Sequence, residues 1–191
     1  MKSIKGTETE KNLLKSFAGE SQARNRYSYF ASVAAKEGYE QIAAVFDATA
    51  EQERIHAKQF FKFLEGGEVE ITASYPAGTI GSTAENLKAA AAGEKFEWSS
   101  LYPGFADVAE KEGFTEVANK YRSISVAEKS HEERYLALLK NIENGTAFSK
   151  GAPTNWQCRK CGYTYSGKEA PKKCPACGHP QSYFEVKSNN W

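Results

Sequence analysis

The sequence predicts a mainly α protein: a four-helix bundle with one long crossover, followed by a small β-rich C-terminal unit. Three observations lead there. Four long stretches carry apolar residues at helical spacing, the two helix pairs are related by an internal repeat, and all four cysteines fall within the last 34 residues. The acidic composition agrees, since 22 of 24 acidic residues are Glu and only Asp47 and Asp107 are Asp, a bias toward helix interiors over turns and caps.

Residues 7–36 contain no Pro and only Gly19, and Leu13, Leu14, Phe17, Ala23, Tyr27, Phe30 and Val33 form an apolar stripe, giving helix one. Gly38 breaks it. Ile42, Val45, Phe46, Ala50, Phe60, Phe61 and Leu64 carry helix two to a stop at Gly66 and Gly67. Residues 68–82, with Pro76, Gly78 and Gly81, are too long for a tight helical hairpin and read as the crossover. A third helix spans about residues 83–111 and a fourth about 115–142, with Gly113 between them and Asn144-Gly145 closing the bundle. This gives one domain over residues 1–145 and a second over 146–191, rich in Gly, Pro, Lys and Cys and carrying Trp156 and Trp191.

The repeat is specific. Ala18-Gly19-Glu20 recurs as Ala92-Gly93-Glu94, Val33 to Tyr39 as Val108 to Phe114, and Glu53/His56 as Glu128/His131. The offset is 74 residues at Glu20/Glu94 and 75 from Tyr27/Tyr102 onward, so the third helix holds one extra residue between Glu94 and Tyr102. A π-bulge there would absorb it, beside Pro103, which donates no helical hydrogen bond.

Two of the three histidines sit in Glu-x-x-His, as Glu53/His56 and Glu128/His131, each pair on one helix face. The other two helices supply Glu20 and Glu94 at matching positions. Four Glu and two His from four helices form the donor set of ferritin-like di-iron or di-manganese bundles, where carboxylates bridge hard cations and imidazoles complete the coordination. Glu97, one turn after Glu94, has Ala23 as its counterpart and is a candidate fifth carboxylate ligand. Four carboxylates neutralise two ferrous ions. Oxidation adds two positive charges and favours a further carboxylate over imidazole, so Glu97 and His56 are expected to alternate on one iron. Tyr27 and Tyr102, paired by the repeat, can donate phenolic hydrogen bonds to the carboxylates or serve simply as core tyrosines.

Cys158-x-x-Cys161 and Cys174-x-x-Cys177, twelve residues apart, form a tetrahedral thiolate site for iron or zinc. A zinc ribbon is the competing reading. The neighbours Cys161-Gly162-Tyr163 and Cys174-Pro175-x-Cys177-Gly178 resemble the two knuckles of rubredoxin and favour iron, with Trp156, Tyr163 and Phe184 as apolar shielding. His179 reads as a loop residue, not a ligand. A disulfide framework is the weaker reading of these cysteines.

With 25 basic and 24 acidic residues the chain has no basic field for nucleic acid or an anionic membrane. No apolar run approaches the ~20 residues of a membrane helix, and the N-terminus lacks a secretory apolar core, so a cytoplasmic protein is expected.

The combination of Glu20, Glu53-x-x-His56, Glu94-x-x-Glu97 and Glu128-x-x-His131 with a rubredoxin-like tail resembles the rubrerythrin family over essentially the whole chain. The resemblance implies a cytoplasmic homodimer that reduces hydrogen peroxide to water in protection against oxidative stress. It implies three irons per subunit, a di-iron centre and one Fe(Cys)4 site. Electrons from an external donor, such as a rubredoxin or its reductase, would pass through the tail iron to the di-iron centre, normally across the subunit interface. Glu97, His56, Tyr27 and Tyr102 would then take part in the reaction. Two other functions fit parts of the sequence: a ferroxidase of ferritin type, which would not need the tail, and a zinc-ribbon binding module on a helical scaffold.

Overall fold

The computed structural model describes residues 2–189, so Trp191 lies outside the described residues. Helix α1 covers Glu8–Lys36 and begins where the Thr7 side chain accepts the Glu10 N–H, satisfying an amide that a helix start leaves unpaired. A second acceptor comes from far along the chain. The Glu112 carboxylate receives Thr9 Oγ1 at 2.6 Å and the Thr9 and Glu8 amides at 2.9 and 3.2 Å. Its repeat counterpart, Glu37, accepts the Thr83 amide at 3.0 Å, at the start of the third helix. Each half of the repeat thus places an anion at the positive end of the other half's first helix.

Helix α2 covers Glu40–Phe61. It stops short of Gly66 because the Phe63 and Leu64 amides turn to the carbonyls of Phe60 and Phe61, three residues back, which tightens and ends the helix. The crossover therefore starts earlier than the sequence suggests and runs without helix or strand to Ser82. There a capping box with Glu85 opens α3, Thr83–Phe96. The expected irregularity follows as a π-helix over Glu97–Leu101, then α4 over Tyr102–Lys111 with Pro103 in its first turn. Helix α5 covers Thr115–Glu143. No helix among the described residues is long and apolar enough to cross a membrane.

The most extensive helix contacts pair α1 with α2, and α3 and α4 with α5. Two apolar clusters fill the bundle, one built around Tyr27, Phe46, Leu87 and Tyr135, the other around Leu13, Phe60, Tyr102 and Tyr121. Between them each rod carries one glutamate two turns from a member of either cluster: Leu13/Glu20/Tyr27, Phe46/Glu53/Phe60 and Tyr121/Glu128/Tyr135, all at seven-residue spacing. In the third rod the series is Leu87/Glu94/Tyr102, eight residues in its second step, and the π-helix absorbs the extra one so that Tyr102 still reaches its cluster.

The tail forms a three-stranded antiparallel sheet of order β2-β1-β3, from Ser149–Cys158, Thr164–Glu169 and Phe184–Val186 in chain order β1, β2 and β3. Trp156 and Phe184 are fully buried behind Cys158 and Cys174, and Tyr163 packs on that cluster. The Tyr39 and Phe148 rings stack at 6.0 Å, seating the tail on the α1–α2 end of the bundle.

Candidate metal centres

The seven-residue series brings Glu20, Glu53, Glu94 and Glu128 to one level between the two apolar clusters, each no more than 1% exposed. One turn after Glu53 and Glu128, His56 and His131 face each other with ring centroids 5.9 Å apart. Two donor groups result, Glu20/Glu53/His56/Glu128 and Glu53/Glu94/Glu128/His131, the offered atoms within each lying within 4.8 Å of one another. Glu53 and Glu128 belong to both, as bridging carboxylates would, while Glu20 and Glu94 each serve one side.

His56 Nδ1 is 2.9 Å from Glu128 Oε1, and His131 Nδ1 is 2.9 Å from Glu128 Oε2 and 3.2 Å from Glu53 Oε1. Despite these separations Glu53 Oε1, both Glu128 oxygens and His131 Nδ1 have no hydrogen-bond partner, nor do Glu20 Oε2 and Glu94 Oε2. The short distances record convergence on common points, because the atoms lack hydrogen-bond alignment.

Burial, then the charges of Glu128 and Glu53, raises the Glu20 carboxyl well above the ordinary carboxylate range; burial and Glu53 push Glu94 up to about 8. Burial opposes ionisation of Glu53 too, but the imidazoles of His131 and His56 hold it at about 2. The same contacts outweigh burial at the imidazoles, raising His56 to about 9 and His131 to about 12. Four carboxylates out of water and only partly paired are costly; two divalent cations at the convergence points would balance them and satisfy the orphaned oxygens. The residues fit a two-metal centre.

Tyr27 donates its hydroxyl to Glu94 Oε1 at 2.6 Å and Tyr102 to Glu20 Oε1 at 2.5 Å, so each tyrosine orients the carboxylate of the opposite repeat half. Burial, then Glu94 for Tyr27 and Glu20 for Tyr102, raises both phenols well above their usual range, and they remain O–H donors. Glu97 belongs to neither donor group. It leads the π-helix and borders a cavity outside the site, where burial, then Glu94, raises its carboxyl well above the ordinary range.

In the tail Gly162 and Gly178, at matching points after the two Cys-x-x-Cys pairs, adopt φ of +78° and +74°. These left-handed turns return the Gly162 and Gly178 amides to the Cys158 and Cys174 carbonyls at 2.8 and 2.9 Å. Cys158 Sγ lies 3.8 Å from Cys177 Sγ, and Cys161 Sγ 3.7 Å from Cys174 Sγ, with no disulfide. A tetrahedron with metal–sulfur bonds of ~2.3 Å has edges of about 3.8 Å, so the four thiols fit one ion. Burial raises Cys174, but the amides of Cys177 and Ala176 draw it down to about 7, whereas at Cys161 the Tyr163 amide is outweighed by the neighbouring thiols, which push it up to about 12. His179 is outside this group, its ring against Tyr183.

Both units have relatives. The rubrerythrin family profile matches residues 11–139, and the profile of the rubrerythrin rubredoxin-like domain matches residues 156–185. The chain belongs to the rubrerythrin family. It is 64% identical to rubrerythrin of Porphyromonas gingivalis, covering 100% of this chain and 95% of that one, and 53% identical to rubrerythrin of Nitratidesulfovibrio vulgaris over 100% of both. A structure of fully reduced, all-ferrous nigerythrin superposes with a TM-score of 0.63 at 33% identity, covering 97% of this chain and 92% of that one. All the bundle donors lie within the first matched segment and the four cysteines within the second.

Sequence reasoning missed Trp98, whose indole N–H reaches Glu132 at 2.6 Å, and Arg26, held by Gln22 Oε1 at 2.6 Å beside Tyr27 and Glu97. Glu132 directly follows His131, the one signal the sequence offered.

Proposed function

We propose that the chain reduces hydrogen peroxide to water, with two irons in the bundle (residues 1–145), one in the tail (residues 146–191), and electrons passing from tail to bundle. The observation that carries this reading is the presence in one chain of a buried donor set whose four carboxylates can balance two divalent ions, and a separate four-thiolate site suited to single-electron traffic. Bound iron would supply the two electrons that cleave the O–O bond. The protein supplies position and protons. Tyr27 and Tyr102 fix the outer carboxylates Glu94 and Glu20, and the two aromatic clusters exclude water above and below. The Tyr27 and Tyr102 hydroxyls, and the Glu97 carboxyl when it carries its proton, are O–H groups beside the site, able to deliver the two protons that turn one peroxide into two waters. His56 sits in a donor group and Glu97 stands outside it, so in the proposed alternation Glu97 would take the place of His56 on oxidation. A cytoplasmic homodimer supplied by a rubredoxin or its reductase completes the proposal.

The test is peroxide consumption by iron-loaded protein given reduced rubredoxin, compared with Cys174→Ser. The variant should lose the tail iron and its ferric thiolate colour, keep two irons in the bundle, and oxidise its reduced bundle with peroxide once but not repeatedly. Equal steady-state rates would refute the relay. Oxygen-driven deposition of added iron without peroxide turnover would refute the peroxidase.

A further inference from the structure

A cavity of about 300 Å³ lies between the crossover and the bundle, bordered on its inner side by Glu97, Tyr27 and Tyr102. Its volume is about ten times the ~30 Å³ share of a water molecule. Hydrogen peroxide is little larger than water and needs none of that room. The wall away from them is mainly apolar, with Tyr75 and Pro76 from the crossover and Phe96, Leu101 and Phe105 from the third rod, interrupted by Thr72 and Ser74. This roof is fastened, since Tyr75 donates its hydroxyl to the Lys15 carbonyl at 2.8 Å and its ring packs over Gly19. An apolar chamber with a few convergent polar groups at one end is the form of a small-molecule site.

The two cations that line the chamber, Lys15 and Arg26, are engaged. Lys15 is held by Glu8 and Asn12, at 3.1 and 3.3 Å, and Arg26 by Gln22 while lying over the Tyr27 ring. With Glu97 on the inner wall, the chamber favours an uncharged ligand that has an oxygen head and an apolar body.

We propose that the chamber admits alkyl and aryl hydroperoxides, ROOH, with the O–OH group toward Glu97 and the R group against the crossover. The inference rests on the peroxidase reading and names its substrate class. In the reaction the O–O bond breaks, ROOH takes two electrons from the external donor by way of the tail and two protons, and ROH and water leave. Hydrogen peroxide is the member of the class whose R is hydrogen.

Gly93 gives the test its lever. It lines the chamber within α3, and a Cβ added there meets nothing within 4 Å. Gly93→Leu therefore fills space without a backbone clash and improves helix propensity. With iron-loaded protein and reduced rubredoxin, kcat/KM is measured for cumene hydroperoxide and for hydrogen peroxide, wild type against Gly93→Leu. Binding of the redox-inert product 2-phenyl-2-propanol to both proteins is followed by calorimetry. The expected result is turnover of both peroxides by the wild type, a fall of about tenfold or more in the ratio of cumene hydroperoxide to hydrogen peroxide in the variant, and weaker alcohol binding. Turnover of hydrogen peroxide alone, a ratio unmoved by Gly93→Leu, or no binding of the alcohol overturns the substrate class and leaves the peroxidase standing. Failure with both peroxides overturns the two together.

Discussion

Trp98 donates its indole N–H to Glu132 at 2.6 Å, tying the π-helix to α5 one residue beyond His131. Lys129 lies over the same indole at 5.5 Å. The repeat counterpart of Glu132 is Ala57, so the tie exists only in the half that carries the extra residue and Glu97. Trp98→Phe leaves the largely buried Glu132 carboxylate without this donor and should cost about 1–3 kcal/mol, read from the denaturation midpoint. Loss of stability with unchanged metal content would restrict the tie to a structural role; lower occupancy or slower peroxide turnover would show that it also positions Glu97.

The reciprocal caps give a pH-dependent prediction. The hydrogen bond from the Thr9 hydroxyl leads the causes that lower the Glu112 carboxyl below its ordinary value. A carboxyl depressed in the folded state stabilises it above the unfolded-state value, and the contribution fades as pH falls through the folded value. Glu112→Gln should therefore destabilise the protein near neutrality by about 0.5–1 kcal/mol, at the low end of the capping range because the group is partly solvated, and the difference should shrink on acidification below about pH 4. Chemical denaturation of both proteins at several pH values checks it.

Metal removal should weaken the bundle and couple to protons. Without cations burial holds Glu20, Glu94 and Glu97 above the ordinary carboxylate range, and carboxylate contacts hold His56 and His131 above that of imidazole, so each of the five keeps its proton more tightly than a free side chain does. Ligands bind metal unprotonated, so loading should release protons and apparent affinity should rise with pH. Calorimetric titration of metal-free protein in buffers of different ionisation enthalpy counts the protons. Chelation should lower the melting temperature and readdition should restore it.

Glu97→Ala should keep two ferrous ions, because Glu20, Glu53, Glu94 and Glu128 already balance their charge. It should disfavour the ferric state and slow peroxide reduction by about 10–100-fold. Structures of the reduced and oxidised iron-loaded wild type, showing whether Glu97 and His56 exchange, decide the cause; the same donors in both states would exclude alternation.

Mixing a tail-deficient variant, Cys174→Ser, with a bundle-deficient one, Glu53→Ala, should restore turnover if electrons cross between subunits. From His131 to Ile142 alone, α5 adds about 16 Å at 1.5 Å per residue, which sets the tail away from its own centre. No recovery after verified subunit exchange would confine transfer to one chain.

Everything that depends on periodicity and spacing was legible in the amino-acid order. Seven-residue intervals fix the face on which Glu20, Glu53 and Glu128 lie, the one-residue change in offset required a π-helix between Glu94 and Tyr102, and paired Cys-x-x-Cys knuckles required a four-thiol cluster. These are properties of a helix or turn already present in a short stretch of chain. Which residues meet through space depends instead on how the helices pack. The ties Trp98–Glu132, Glu112–Thr9 and Glu37–Thr83 join residues 34, 103 and 46 positions apart, and no local pattern marks them. Helix α2 ends at Phe61, before Gly66 and Gly67, because the Phe63 and Leu64 amides find carbonyls three residues back. Glu97 stands outside the donor groups and the crossover roofs a cavity beside it, because both depend on how a non-periodic segment packs across two helices.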